Sequence, residues 1–141
     1  MNPSAVPLLF RLIEMGTRSL LQYTSESVPW AGDKRRDAIA AIFQAAEEER
    51  DEVARLTCIL QKKRIRLPVP SSYPSHFTTS NFVSVDYLLP RLIAEHDKEI
   101  AEIERHLALI DDEEIRKLAE DDLAMKRRHL DTLRQFTLAP V

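Results

Sequence analysis

The chain has 141 residues, a formal net charge of -3, eight prolines, two glycines and a single cysteine. That length suits one domain with its own core, and the interspersed acids and bases give no sign of a nucleic-acid footprint. The one basic run, Lys62, Lys63, Arg64 and Arg66, falls at a helix C-terminus where cations are favoured anyway. Cys58, being alone, excludes an internal disulfide or a Cys-rich zinc site.

The remaining composition, rich in Leu, Ala, Glu and Arg, is that of long helices. No stretch approaches the ~20 apolar residues of a membrane span, and no cleavable leader pattern opens the chain. The expectation is a cytoplasmic protein with no nucleic-acid or membrane partner.

A first helix is expected over about residues 5–28, with Pro3 and Pro7 where a first turn tolerates them. Leu9, Leu12, Ile13, Leu20 and Tyr23 share one face. Gly16 falls in the middle of that face, at a helix cost of ~1 kcal/mol relative to alanine, which suggests that something large needs the room. Phe10 and Leu21 point the other way, and a second apolar surface predicts self-association as a homodimer. Pro29-Trp30-Ala31-Gly32-Asp33 ends the helix with breaker residues.

A second helix follows over about 34–64. Ile39, Ile42, Phe43, Ala46, Val53, Leu56 and Leu60 recur at helical spacing, and Glu49 points into their stripe. Leaving a carboxylate there without a partner costs about 3–5 kcal/mol, so Glu49, with Glu52 beside it, demands a cation, a proton or donors. Cys58 lies on the opposite side.

Residues 65–85 hold several prolines and many hydroxyls with no helical period. Such a long structureless connection is unusual inside a domain, yet it has a use. At ~1.5 Å per residue the second helix is about 40 Å long, and some twenty extended residues can travel that distance back. The second and third helices can therefore run parallel, joined by one long crossover that includes Tyr73, His76 and Phe77.

The third helix is expected over about 86–110, capped by Ser84 or Asp86. His96 lies in its apolar stripe, with Glu95 and Glu99 on the flank. Asp111-Asp112-Glu113-Glu114 suits the start of a fourth helix over about 112–136. Asp122, Lys126 and His129 share the inward face of that helix, and the tail 137–141 is expected to be loose.

Three helices thus carry ionisable residues on their inward faces near mid-length. One reading is a buried ion-pair network, Glu49 with Lys126 and His96 with a neighbouring carboxylate. The other is a metal or proton-transfer pocket.

The stretch Glu49-Arg50-Asp51-Glu52-Val53-Ala54-Arg55-Leu56, running on to Leu67-Pro68, resembles the second helix of the bacterioferritin and rubrerythrin branch of the ferritin-like family. Leu20-Leu21-Gln22-Tyr23 resembles that family's first helix, and Met125-Lys126-Arg127-Arg128-His129 followed by Leu133 resembles its fourth. The resemblance implies an all-α, ferritin-like four-helix bundle with a long crossover between helices 2 and 3, spanning 1–141 as one domain. It also implies a di-metal site built from one Glu on each of two helices and a Glu-x-x-His on each of the others.

Carried over residue by residue, Glu49 matches a bridging Glu and His129 a ligand His. Gly16 stands where a Glu is expected, Glu52 where a His is expected, and Lys126 where the last Glu is expected. Glu95, Glu99 or His96 would supply the third helix's ligand. Removing two carboxylates and adding an ammonium works against a metal pair, because a charge pair at 4 Å interacts by roughly 4 kcal/mol even at an effective dielectric of ~20.

The sequence therefore points to a ferritin-like protein with a degenerate di-iron site and no cofactor, acting as a structural or interaction module. Its buried polar network is expected to comprise Tyr23, Glu49, Asp122 and Lys126. The alternative is a divergent oxidoreductase that binds iron or manganese through Glu49, Glu52, His96, Glu99 and His129. A third reading makes Lys126 a base or Schiff-base nucleophile.

Overall fold

The structure is a computed structural model, and it describes residues 1–27, 35–69, 72–80 and 84–138. The protein is all-α: among the described residues there is no strand. Among the described residues five α-helices, α1 (Val6–Thr17), α2 (Leu20–Ser27), α3 (Arg36–Lys62), α4 (Val85–Leu107) and α5 (Glu113–Leu138), form four rods. The expected first helix is α1 and α2 with a break between them. The breaker segment at Pro29–Asp33 and the tail from 139 onward lie outside the described residues.

The break at Arg18-Ser19 has local causes. Thr17 Oγ1 donates back to the Ile13 carbonyl at 2.7 Å, a bond that competes with regular helix geometry. Ser19 then caps α2, its Oγ accepting from the Gln22 N–H at 3.1 Å. The break re-aims everything after it. Leu21, expected on an outer surface, is buried at 1% exposure in the core, which removes it from the expected self-association face. Phe10 is half-buried.

The other ends follow recognisable rules. Ser84 caps α4, accepting from the Tyr87 N–H, while Asp86 pairs instead with Arg35 at 2.8 Å. Asp112 caps α5 through the Ile115 N–H at 3.0 Å. At the end of α3, Arg64 adopts φ 57° and the Ile65 N–H reaches the Leu60 carbonyl, the six-to-one bond of a left-handed helix stop.

Two apolar clusters form the core. One gathers Leu9, Leu12, Leu56, Leu60, Ile103 and Ile115, the other Leu21, Ile42, Ala46, Leu88, Leu92 and Leu133. Each such leucine or isoleucine contributes roughly 1.5–3 kcal/mol by leaving water. Both α3 and α4 run from the second cluster to the first, so they point the same way. The connection between them must travel the length of the helices, and of its described residues Ile65, Leu67, Tyr73 and Phe77 pack on the bundle. Phe77, in a 3-10 turn at Ser75–Ser80, is buried in the second cluster. Tyr73 and Phe77 lie 5.2 and 5.8 Å from the Tyr23 ring, centroid to centroid.

Gly16 is where α1 and α3 touch. A Cβ there would overlap Val53 Cγ2 and meet Glu49 Cγ at 3.5 Å. The room that the glycine leaves is filled by α3 itself.

Candidate functional site

Between the two apolar clusters lies a belt of buried polar side chains: Ser19, Gln22, Glu49, His96, Asp122, Lys126 and His129. Helical spacing places them. Glu49 falls on the stripe of α3, His96 on that of α4, and Asp122, Lys126 and His129 follow one another along the inner face of α5.

Lys126 is at the centre, its side chain 1% exposed. Its Nζ donates to Glu99 Oε2 at 2.7 Å and stands 3.7 Å from Glu49 Oε2. Glu99 is thus the nearer counter-ion, although the expected pairing with Glu49 is also present. Glu49 is satisfied mainly from α2 and the break before it. Its Oε1 accepts from Ser19 Oγ at 2.5 Å and from Gln22 Nε2 at 3.0 Å. Gln22 also donates to the Ala46 carbonyl and accepts from Arg50, so one amide ties α2 to α3 at three points.

The charges respond to this setting. Burial alone would push the Lys126 ammonium down, but Glu99, Glu49 and Asp122 outweigh it and hold the group above the ordinary lysine value. An amine kept protonated has no free lone pair, which works against the nucleophile reading of Lys126. Burial lifts Glu49 above the usual carboxylate range, opposed by Lys126 and reinforced by Glu99. Asp122 is pushed up to about 6, again mainly by burial, and its Oδ2 has no partner.

His96 does not pair with a carboxylate as expected. Its Nδ1 lies 2.9 Å from the Leu92 carbonyl; a carbonyl only accepts, so Nδ1 carries the proton and Nε2 is left bare. Nε2 is buried and unpartnered, and burial holds the ring's pKa below the ordinary value. His129 instead reaches Glu48, Nε2 to Oε2 at 2.8 Å, while its Nδ1 is buried without a partner. The two imidazoles meet edge to face, centroids 6.2 Å apart. Burial lowers His129 against the pull of Glu48, so in both rings burial favours the neutral form.

Of the remaining expected residues, Glu52 lies at the edge of the belt, half-buried and close enough to Asp122 to raise it. It forms a two-pronged bond with Arg55 at 2.7 and 3.0 Å on the surface of α3. The Tyr23 ring belongs to the aromatic group with Tyr73 and Phe77. Cys58 is exposed, as expected. Ser19, Gln22 and Glu48 were not foreseen. The first two had a signal: Ser19-Leu20-Leu21-Gln22 has the Ser-x-x-Gln spacing of a capping box.

Set against models of protein families, curated proteins and solved structures, the chain matches none of them. The site therefore has to be judged on its own geometry.

That geometry does not fit the metal pair implied by the resemblance. The ammonium of Lys126 stands between Glu49 and Glu99, Glu52 is spent on Arg55, and Gly16 has no space for a carboxylate. Among the described residues, no three His, Cys, Asp or Glu side chains form a group that could hold a metal ion. Nor is any helix of the described residues long and apolar enough to cross a membrane.

The belt gives stability a pH dependence that can be measured. A carboxyl whose folded pKa is raised contributes stability that is present below its unfolded pKa and lost as pH rises through the folded one. For Asp122 that window runs from its ordinary 3.8 to about 6. Neutral, buried His96 and His129 act oppositely, their contribution fading as pH falls below 6.5. The stability of the wild type minus that of Asp122→Asn should therefore fall by roughly 2 kcal/mol between pH 4 and 8, read from urea midpoints. A difference that is flat with pH would place Asp122 in water.

Proposed function

We propose that this protein is a ferritin-like bundle in which an internal ammonium has taken the place of the metal pair, and that it works as a structural or interaction module. One observation carries the reading: Lys126 Nζ lies between Glu99 and Glu49 with almost no exposure. The common direction of α3 and α4, with a long crossover between them, supports the ferritin-like topology. The position of the belt, midway between two apolar clusters, supports the comparison with a metal centre. A buried ion cluster of this kind holds helices in one register more than it adds net stability, which suits a scaffold.

A divergent metal-binding oxidoreductase is the second reading. What favours it is that buried imidazole and carboxylate atoms without partners, His96 Nε2, His129 Nδ1 and Asp122 Oδ2, are of the donor types that suit iron or manganese, although as placed they do not converge on one point. Elemental analysis of protein purified without chelators separates the two. The ammonium reading expects iron and manganese far below one ion per chain. A near-stoichiometric content of either metal would overturn it.

A further inference from the structure

The end of the bundle where α3 stops and α4 turns into α5 combines a hollow, a projection and both signs of charge. The hollow is an open dish of about 500 Å³ lined by Met1, Pro3, Val6, Lys63 and Ile65. The projection is Leu109 in the turn after α4, 84% exposed although its neighbours Leu107 and Ile110 are in the core. Lys62, Arg64 and Arg66 are exposed on the α3 side, and Asp111, Glu113 and Glu114 on the side of the turn. The two sides meet where Lys63 Nζ pairs with Glu114 at 3.0 Å.

A surface that is basic on one half and acidic on the other, with a knob on one half and a hollow on the other, is complementary to itself under a two-fold rotation. We propose that this end of the bundle is an interface between two copies of the chain. Leu109 of each copy enters the dish of the other, and the basic strip of each faces the acidic turn of the other.

Partners of a single character match only part of these features. A purely acidic or purely basic partner would face like charge over half of the surface, and a purely apolar one would leave six charged side chains without water or partners. The second copy supplies the right group at each place. Contacts between exposed charges are screened by salt, so the dimer is salt-dependent. This gives the interaction-module reading a partner, and rests on it only that far. The interface uses none of the belt residues, so failure here leaves the metal test of the belt unaffected.

The test is sedimentation of the full chain over a concentration series at low and at high salt. Leu109→Glu is exposed enough to leave folding intact, and it should weaken association by at least roughly tenfold. Lys62→Glu with Arg66→Glu makes one charge-reversed protein, and Asp111→Lys with Glu113→Lys makes the other. Each should be monomeric alone, and an equal mixture should pair. A wild type that stays monomeric at the highest concentration and lowest salt overturns the proposal. So does a dimer indifferent to Leu109→Glu, or a mixture that fails to pair.

Discussion

Lys126→Met should destabilise the fold by about 3–5 kcal/mol at pH 8, the loss typical of removing one partner from a buried ion pair. Methionine fills much of the same volume, so the loss reports charge and not a cavity. Glu99, Glu49 and Asp122 would be left facing one another without the ammonium that now lies among them or acts on them. The same variant should recover part of its stability at pH 5. Carboxyls deprived of their cation have raised folded pKa values, and their protonated forms are tolerated below that range. Combining Lys126→Met with Glu99→Gln should cost less than the two single changes added together, because the pair is coupled. Urea unfolding at the two pH values measures all of this. A loss within about 1 kcal/mol, as for surface ion pairs, would show that the amine does not sit in the belt.

The second large effect is expected at Gly16, where the resemblance would place a ligand glutamate. Gly16→Glu should cost more than about 3 kcal/mol, from overpacking together with a further carboxylate beside Glu49. The obstruction is Val53 Cγ2, and a helical valine has little freedom to rotate away. Gly16→Ala is the milder probe. It should destabilise the wild type by about 1–2 kcal/mol, but should stabilise a Val53→Ala background by close to the ~1 kcal/mol that alanine gains over glycine in a helix. Should Gly16→Glu melt with the wild type, α1 and α3 do not approach as closely as described, and the case against a metal pair weakens with them.

Much of the architecture was legible because periodicity reports burial directly. The stripes of α3, α4 and α5 placed Glu49, His96, Asp122, Lys126 and His129 inside, and all five are buried. The break between α1 and α2 was missed because Gly16, two residues before it, was read only as making room for a neighbour; its other signal is the capping spacing of Ser19 and Gln22, embedded in a continuous apolar pattern. That break explains Leu21, whose outward placement assumed one unbroken helix. Glu52 was placed beside Glu49 from spacing alone; its two-pronged pairing with Arg55, three residues on, was not anticipated. Which carboxylate holds Lys126 most closely depends on a separation of 2.7 against 3.7 Å, a distinction set by how α4 and α5 pack. No pattern within either helix encodes it.

The hydrogen bonds around Glu49 also explain why the belt is more than one ion pair. Ser19 and Gln22 come from the helix break, Lys126 from α5, and Glu99 from α4. Every rod of the bundle therefore contributes to the same few ångströms, and loss of one member should be felt by the others.

The most direct measurement is nitrogen-15 NMR of the lysine ammonium groups across a pH titration. A Lys126 ammonium held by Glu99 and Glu49 should give a distinct Nζ–H signal, slow to exchange with water and still protonated above pH 10.5, the ordinary lysine value. A Lys126 that exchanges as fast as the surface lysines and titrates with them would contradict the account.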